Sequence, residues 1–329
     1  MAFALLSAAC TGSQQACGAS CASSPATRTP LATASAAAAA TPAPAPRYPP
    51  YYIESLRNRT YAGGPISVGP EMFRGPGYTK SAVAWVSGGQ TMTGTISIPD
   101  GSGPFPVVIV NHGHIPVSRY WIGQDSGIFG DPMASHGFIS IAPNYPGYAG
   151  SGPGEPGVPA IIATTITVLD LVSSLRSLPS ADPKHVAMIG HSNGGGVSLL
   201  VMAIDRRVGA FALFAPVSSD MTDNARKWWL QSGAQAPMGP PESDPDGYRH
   251  ISPRSYFEKT KAPVLFIQGT LDEDIPADWT NKTVEALQAS GVSTRVMWIP
   301  GAHHDLVGAD LDAGTGAAEA WIRQGLGLG

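Results

Sequence analysis

A serine in a glycine-rich turn is the residue of this chain best suited to nucleophilic chemistry. Residues 190–196 read Gly-His-Ser-Asn-Gly-Gly-Gly, after an apolar run and before a stretch with helical spacing. A sharp turn between a strand and a helix exposes such a serine, and it needs glycines because side chains would clash there. The amino terminus of the helix adds partial positive charge where an oxyanion develops. The motif therefore predicts Ser192 as a nucleophile in acyl transfer.

Apolar runs that alternate with helical stretches predict the elements that position this turn. Runs at 78–87 and 91–99 flank Gly-Gly-Gln and predict a hairpin. Buried strands are predicted at 106–111, 138–142, 185–190, 210–215, 263–268 and 294–299, and helices at 158–178, 194–204, 277–289 and 313–323. This alternation predicts an α/β fold with a mostly parallel central sheet, helices on both faces and an antiparallel leading hairpin.

From about Tyr78 to its end the chain resembles the α/β-hydrolase superfamily. It is most similar to the prolyl-oligopeptidase-like, dienelactone-hydrolase-like and cutinase-like esterases. The loop 142–152 is similar to the Asp-x-Arg-Gly-x-Gly-x-Ser loop of the family, with Pro146 in place of the arginine. The resemblance implies the α/β-hydrolase fold and a catalytic triad in the chain order Ser, Asp or Glu, His.

The same resemblance implies the acid and the base. Residues 263–276 are similar to a family strand that ends in Gly-x-x-Asp-x-x-Val-Pro, which implies Asp272 as the acid that orients the histidine, with Asp274 as the alternative. Residues 300–305 resemble the family's Gly-Ala-Gly-His ending and imply His304 as the general base. His303 stands where a glycine is usual, so it remains the alternative base.

An oxyanion hole needs two backbone N–H donors. The residue after the nucleophile, Asn193, is one candidate donor, and His114 in Asn-His-Gly-His at 111–114 is the other. In the family the preceding His112 is structural. Tyr120 and Trp121 follow the oxyanion loop, where they are predicted either to bind the acyl or aryl group of a substrate or to serve as plain packing.

The stretch 218–260 interrupts the alternation of strands and helices. It contains Trp228, Trp229 and a polar run, and a segment of this length between strands is typical of a functional element or of disorder. We interpret it as a cap over the active site. The alternative is a surface excursion with two buried tryptophans.

The resemblance implies a serine hydrolase that cleaves carboxylic esters through an acyl-enzyme, with aryl, feruloyl-like or polyester substrates in view of the aromatic candidates. One alternative is a peptidase of the prolyl-oligopeptidase type, whose members usually carry a large propeller domain. A second alternative is a non-catalytic cell-surface binding protein on the same fold.

Composition bears on partners and cofactors. The net charge is −4 and charged residues make up 13% of the chain, which argues against nucleic acid as a partner. The sequence lacks a phosphate-binding Gly-x-x-x-x-Gly-Lys-Ser/Thr loop and a His-Glu-x-x-His motif, so we expect no cofactor and no metal. His303, His304 and Asp305 could chelate an ion weakly. The expected partner is a small-molecule or polymeric ester, and the sequence indicates no oligomeric state.

The first 50 residues differ in composition from the rest. A short apolar run ends at Cys10 and resembles a lipoprotein signal, and an Ala- and Pro-rich stretch after it reads as a flexible tether. Cys17 and Cys21 are the other cysteines, so the catalytic domain predicted at 51–329 contains no thiol. We expect export, with membrane attachment solely through a lipid on Cys10; the alternative is a disordered cytoplasmic extension.

Overall fold

The computed structural model describes residues 48–231 and 238–329. The predicted signal, its cysteines and almost all of the tether lie outside the described residues. The strands are β1 (Ser67–Gly75), β2 (Tyr78–Ser87), β3 (Gln90–Pro99), β4 (Phe105–Asn111), β5 (Ile139–Pro143), β6 (Ala181–His191), β7 (Ala210–Phe214), β8 (Val264–Gly269) and β9 (Thr294–Ile299). The helices are α1 (Ile53–Asn58), α2 (Ser126–Ser135), α3 (Ala160–Ser174), α4 (Asn193–Ile204), α5 (Met221–Asn224), α6 (Pro245–Ile251), α7 (Ala277–Ala289) and α8 (Gly308–Leu326).

These strands form one sheet in the order β1-β2-β3-β5-β4-β6-β7-β8-β9. The pairs β1–β2, β2–β3 and β3–β5 are antiparallel, and every pair from β5 to β9 is parallel. The predicted mostly parallel sheet with an antiparallel leading hairpin is confirmed. Because β4, β6, β8 and β9 are parallel, the loops that follow them meet at one edge of the sheet.

The sequence did not predict β1, α1 or α2. β1 is exposed along almost its whole length and contains Pro70, so it lacks the alternation of apolar and polar residues that marks a half-buried strand. Its register with β2 shifts between Val68 and Glu71 and again between Glu71 and Phe73. Helix α2 contains Pro132 and two glycines, which are poor helix formers.

The hydrophobic core lies on both faces of the sheet. In β4, Val107 and Ile109 belong to a cluster with α3 and α4, whereas Val108 and Val110 belong to a cluster with α2 and α8. Successive strand residues point to opposite faces, so a run of buried residues is what a strand covered on both sides requires.

Helix α3 and the turn that follows it are apolar over 18 residues, with a mean hydropathy of 1.4. By length and composition alone this stretch could cross a membrane, but 83% of it is buried inside the protein. Its apolar character therefore matches its position in the core, where it packs against β2 and α4.

The stretch 218–260 divides into two parts. Trp228 and Trp229 lie half-buried near the carboxyl edge of the sheet, and Lys227 Nζ donates a hydrogen bond to the carbonyl of Asp274. Further along, the buried side chains of Tyr248 and Phe257 belong to the main core. The first part therefore has the position of a cap, and the second part is an integral piece of the core.

Candidate active site

The backbone at Ser192 has a conformation that residues other than glycine rarely adopt. Ser192 has φ 50° and ψ −117° between β6 and α4. A Cβ on Gly194 would lie 2.1 Å from the carbonyl oxygen of Asn111, and one on Gly190 would lie 2.5 Å from the carbonyl oxygen of Gly194. Larger residues therefore cannot replace these glycines without moving the backbone. Such a strained turn typically projects the hydroxyl of its central residue out of the sheet.

The loops after β8 and β9 bring Asp272 and His304 together. The Nδ1 atom of His304 lies 3.0 and 3.2 Å from the two carboxylate oxygens of Asp272, and both side chains are almost fully buried. Burial alone would raise the pKa of Asp272, but the hydrogen bond and charge of His304 and the N–H groups of Ile275 and Asp274 outweigh it, so the pKa is below its usual value. The carboxylate is therefore ionised and orients the imidazole.

The two alternatives from the sequence occupy other positions. Asp274 contributes its backbone N–H to Asp272 Oδ1 at 3.0 Å. The His303 side chain is 65% exposed and its Nδ1 atom lies 3.2 Å from Glu273 Oε2. The geometry thus favours Asp272 over Asp274 and His304 over His303.

Gln268 is a partner of Asp272 that the sequence analysis missed. Gln268 is 1% exposed. Its Nε2 group donates to Asp272 Oδ2 at 3.1 Å and to the carbonyl of Ile275 at 2.7 Å. The Thr280 hydroxyl donates to Gln268 Oε1 at 2.5 Å. A glutamine inside an otherwise apolar strand is a signal that could have found it, since buried polar groups need partners.

Ser192 and His304 line the same cavity, which has a volume of about 840 Å³. Because Nδ1 of His304 donates to Asp272, its Nε2 atom is left with the free lone pair that a base requires. Most of the cavity wall is apolar: Ile115, Ile128, Phe129, Phe214, Val217, Trp228, Trp229, Ile267, Leu306 and Val307. The arrangement can bind an apolar group beside a nucleophile and a base.

His114 and Asn193, whose backbone N–H groups are the predicted oxyanion donors, line this cavity too. Within residues 48–231 and 238–329, neither group donates a hydrogen bond to the protein. The N–H of Gly113 is instead used internally, because it donates to Asp125 Oδ2 at 2.6 Å. The two predicted donors are therefore free for an oxyanion, and Asn193 is also the first residue of α4, where the helix dipole favours negative charge.

A second histidine–aspartate pair lies beside the nucleophile. Nδ1 of His191 is 3.0 and 3.1 Å from the carboxylate oxygens of Asp125, and both side chains are largely buried. Burial lowers the pKa of His191, but the hydrogen bond and charge of Asp125, with the charge of Asp305, outweigh burial and raise it. Sequence reasoning missed this pair because the two residues are 66 positions apart.

The same region contains a group of possible metal ligands. One donor atom each from His191, His304 and Asp305 lies within 4.8 Å of the others. This group differs from the adjacent set His303, His304 and Asp305 considered from the sequence, because His191 replaces His303.

Of the two alternatives for Tyr120 and Trp121, substrate binding and plain packing, the structure favours packing for Tyr120. The Tyr120 ring stacks on His112 at 4.8 Å between ring centroids, and its hydroxyl donates to Asn144 Oδ1 at 2.7 Å. The Trp121 side chain is 63% exposed, and neither residue belongs to the cavity wall described above. Trp228 and Trp229 from the first part of the insertion supply aromatic surface instead.

His112 has the structural position expected of it. It is fully buried and stacks on Tyr145 at 3.8 Å between ring centroids, and its Nδ1 lies 2.7 Å from the carbonyl oxygen of Gly113. Its Nε2 has no hydrogen-bond partner among the described residues. Burial lowers the pKa of His112 to about 4, so the ring is neutral near pH 7.

Two family profiles match the chain. The profile of the prolyl oligopeptidase family matches residues 164–327, and the chlorophyllase profile matches residues 85–220. The first span contains Ser192, Asp272 and His304, and the second contains His114 and Ser192. Among curated proteins, the acylamino-acid-releasing enzyme of Arabidopsis thaliana is 31% identical over 136 residues, which are 38% of this chain and 18% of that enzyme.

Solved structures share the fold. The acetyl xylan esterase 1 of a Thermoanaerobacterium species matches with a TM-score of 0.62 and 17% identity, over 86% of this chain and 95% of the esterase. A puromycin-hydrolyzing peptidase of Mycobacterium tuberculosis matches with a TM-score of 0.60 and 19% identity, over 80% of this chain and 46% of the peptidase. These matches confirm the predicted α/β-hydrolase fold. The chain spans less than half of that peptidase and under a fifth of the plant enzyme.

Proposed function

We propose that this chain, a serine hydrolase of the α/β-hydrolase superfamily, hydrolyses carboxylic esters whose acyl or aryl group is apolar. Ser192 is the proposed nucleophile, His304 the general base and Asp272 the acid that orients it. The N–H groups of His114 and Asn193 are the proposed oxyanion donors. The observation that carries the proposal is the mostly apolar cavity of about 840 Å³ that Ser192 and His304 both line.

In the proposed reaction, His304 Nε2 takes the hydroxyl proton as Ser192 Oγ attacks the ester carbonyl carbon. The carbonyl oxygen becomes an oxyanion and accepts hydrogen bonds from the two backbone donors. His304 then returns the proton to the leaving alcohol as the carbon–oxygen bond breaks. Water, activated by the same base, attacks the acyl-enzyme and releases the acid and Ser192.

The walls of the cavity support an apolar substrate group. Aromatic side chains come from three elements: Phe129 on α2, Phe214 at the end of β7, and Trp228 and Trp229 in the cap segment. Burying an apolar group there contributes about 25 cal/mol per Å² of apolar surface removed from water. An aliphatic or aromatic acyl chain therefore gains affinity that a charged group would not.

A peptidase of the prolyl-oligopeptidase type is the second candidate. The observation that favours it is the family profile over residues 164–327, which covers all three proposed catalytic side chains. Amide hydrolysis uses the same nucleophile and base, so the two candidates differ in the bond that is cleaved.

A panel of nitrophenyl esters of rising chain length, beside a proline nitroanilide, tests these proposals. We expect rapid ester turnover with an optimum at an acyl chain that fills the apolar cavity, and its loss in Ser192→Ala. The matched control is Ser102→Ala, because Ser102 is an exposed serine in the loop before β4. Cleavage of the amide alone would replace the esterase proposal with the peptidase.

Labelling with a fluorophosphonate probe separates either enzyme from a non-catalytic binding protein. An activated Ser192 should react with the probe, and Ser192→Ala should remain unlabelled. If the wild-type chain also remains unlabelled and hydrolyses none of the substrates, the catalytic proposal is wrong.

A further inference from the structure

Two imidazoles and a carboxylate converge at the edge of the proposed active site. The rings of His191 and His304 lie 5.1 Å apart between centroids. Asp305 Oδ1 lies 3.6 Å from His191 Nε2, and one donor atom from each of the three residues lies within 4.8 Å of the others. His191 is the last residue of β6, and His304 and Asp305 lie in the loop after β9, which the parallel sheet brings beside it.

Each imidazole is anchored through its Nδ1 atom by a separate carboxylate. His191 Nδ1 is held by Asp125 at 3.0 Å, and His304 Nδ1 by Asp272 at 3.0 Å. An Nδ1–H held by a carboxylate is the usual companion of a metal-binding histidine, because it directs Nε2 towards the ion. His191 Nε2 faces Asp305, and the ring also bonds to the backbone of His304, so His191 releases a proton when an ion binds. Ester hydrolysis needs one such histidine as a base, so the Nε2 atom of His191 has no part in the proposed proton transfers.

We propose that His191 Nε2, His304 Nε2 and the Asp305 carboxylate form a binding site for Zn²⁺. The bound ion occupies the lone pair of His304 and so blocks its action as the catalytic base. Two imidazole nitrogens and one carboxylate oxygen suit zinc, whereas Mg²⁺ and Ca²⁺ prefer oxygen ligands. Three protein ligands with water in the fourth position is a common zinc coordination.

One pair of the proposed ligand atoms is already close to its separation in a zinc site. Zinc–nitrogen and zinc–oxygen bonds of about 2.0–2.2 Å in a tetrahedral site place ligand atoms roughly 3.4 Å apart. The 3.6 Å separation of His191 Nε2 and Asp305 Oδ1 is already close to this value, and the Asp305 side chain is 81% exposed and free to rotate. The two histidines are buried and held, so Asp305 is the ligand that closes on the ion.

Bound zinc and the hydrolysis reaction exclude each other. The Nε2 lone pair of His304 that coordinates the ion cannot accept the proton of Ser192. Zinc therefore inhibits hydrolysis reversibly, and a chelator restores the rate. This inference goes beyond the proposed esterase activity, because ion binding can be measured without turnover.

The test uses the full chain after treatment with a chelator. ZnCl₂ is titrated during hydrolysis of a nitrophenyl ester, and each rate is divided by the same variant's zinc-free rate. We expect saturable inhibition by one ion, and Asp305→Asn should raise the inhibitory zinc concentration about tenfold or more, since even outer-shell changes cost about 10–100-fold in affinity. Calorimetry of Zn²⁺ binding to Ser192→Ala measures the same site in the absence of catalysis.

Two variants serve as controls. Asp312→Asn removes an exposed carboxylate from α8 and should leave zinc inhibition as in the wild type. His303→Gln removes the exposed neighbouring histidine and should do the same. The proposal is overturned if Asp305→Asn has no effect, if His303→Gln abolishes inhibition, or if Ser192→Ala binds no zinc. Zinc binding without ester turnover in the wild type would contradict the proposed function alone.

Discussion

Asp272 depends on Gln268 as well as on His304. The Gln268 amide holds one oxygen of Asp272 and the carbonyl of Ile275, so it fixes the loop that carries the carboxylate. We expect Gln268→Ala to lower kcat for ester hydrolysis between about ten- and a hundredfold, because small misplacements of catalytic groups cost about this much. KM should change less than kcat, because the Gln268 amide bonds to the catalytic acid and its loop. Steady-state kinetics with a nitrophenyl ester measures both constants.

The control for Gln268 is Gln288→Ala, which removes an exposed glutamine from α7. Both variants should be followed by thermal unfolding, so that a loss of folded protein is separated from a loss of kcat. Equal kcat values for Gln268→Ala and wild type, with the variant fully folded, would refute the positioning role.

His112 makes stability depend on pH. Its pKa is about 4 in the folded protein and near 6.5 in the unfolded chain, so the unfolded chain binds a proton first as pH falls. The contribution of the neutral ring to the free energy of unfolding is fully present above pH 6.5. It declines as pH falls towards 4, by up to about 1.4 kcal/mol per pH unit. His112→Gln should therefore flatten the free energy of unfolding against pH in this interval.

Urea unfolding at several pH values between 4 and 7.5 measures this slope. His136→Gln is the control, because His136 is a histidine on the surface at the end of α2. If His112→Gln and wild type lose stability in parallel as pH falls, the buried neutral ring is not the cause.

At the scale of single residues, the sequence predicted the candidate residues that lie in recognisable local motifs. Ser192 lies in a turn that its own glycines define, and Asp272 and His304 follow strands with recognisable endings. Asp125 could not be predicted, because its role arises from contacts with His191 and Gly113 that the folded chain creates. Tyr120 was left between substrate binding and packing for the same reason, since its position after the oxyanion loop does not reveal that its ring stacks on His112.

At the scale of elements, Asp125 joins the loop after β4 to the turn after β6. One carboxylate accepts the Gly113 N–H and the His191 Nδ1–H, so the backbone of the oxyanion loop is held relative to the nucleophile. Asp125→Ala should lower kcat by about a hundredfold through displacement of the His114 N–H, with a smaller change in KM. Steady-state kinetics and a crystal structure of the variant would measure both consequences.

The matched control is Asp131→Ala, which removes a carboxylate of α2 that pairs with Lys80 away from the site. This variant should keep its kcat. A kcat for Asp125→Ala equal to that of the control would show that the oxyanion loop is held without the carboxylate.

The elements with strong patterns were predicted within a few residues, and those without one were missed. β4 to β8 are largely buried and β9 is half-buried, so their apolar runs stand out from the loops between them. β1 lies at the sheet edge with its residues exposed, and α2 contains glycines and a proline; both form because neighbouring elements hold them. The periodicity of apolar residues reflects burial, so it does not reveal an element such as β1 whose residues are exposed.

At the scale of the whole molecule, the sheet explains why distant residues meet. Four loops at the carboxyl edge bring together segments near residues 113, 192, 272 and 304, as the parallel order of β4, β6, β8 and β9 requires. The alternation of strands and helices was enough to predict this arrangement. The division of 218–260 was not predictable, because apolar residues such as Tyr248 and Trp228 look alike in sequence although one packs in the core and the other faces the cavity.

The exposed strand β1 bears on how these molecules behave when concentrated. Val68, Met72 and Phe73 give this edge apolar surface, and an unbroken strand of this kind would be a template for intermolecular pairing. We expect Pro70→Val, which supplies the missing N–H at the first register shift, to increase light scattering on storage at high concentration. Pro153→Val, in an exposed loop, should not.

Should Pro70→Val scatter no more light than wild type, the register shifts alone suffice to interrupt the edge. The irregular register that obscures β1 in the sequence should also make it a poor template for a second molecule. Increased scattering by Pro70→Val would therefore mean that the colloidal stability of the protein depends on its least regular strand.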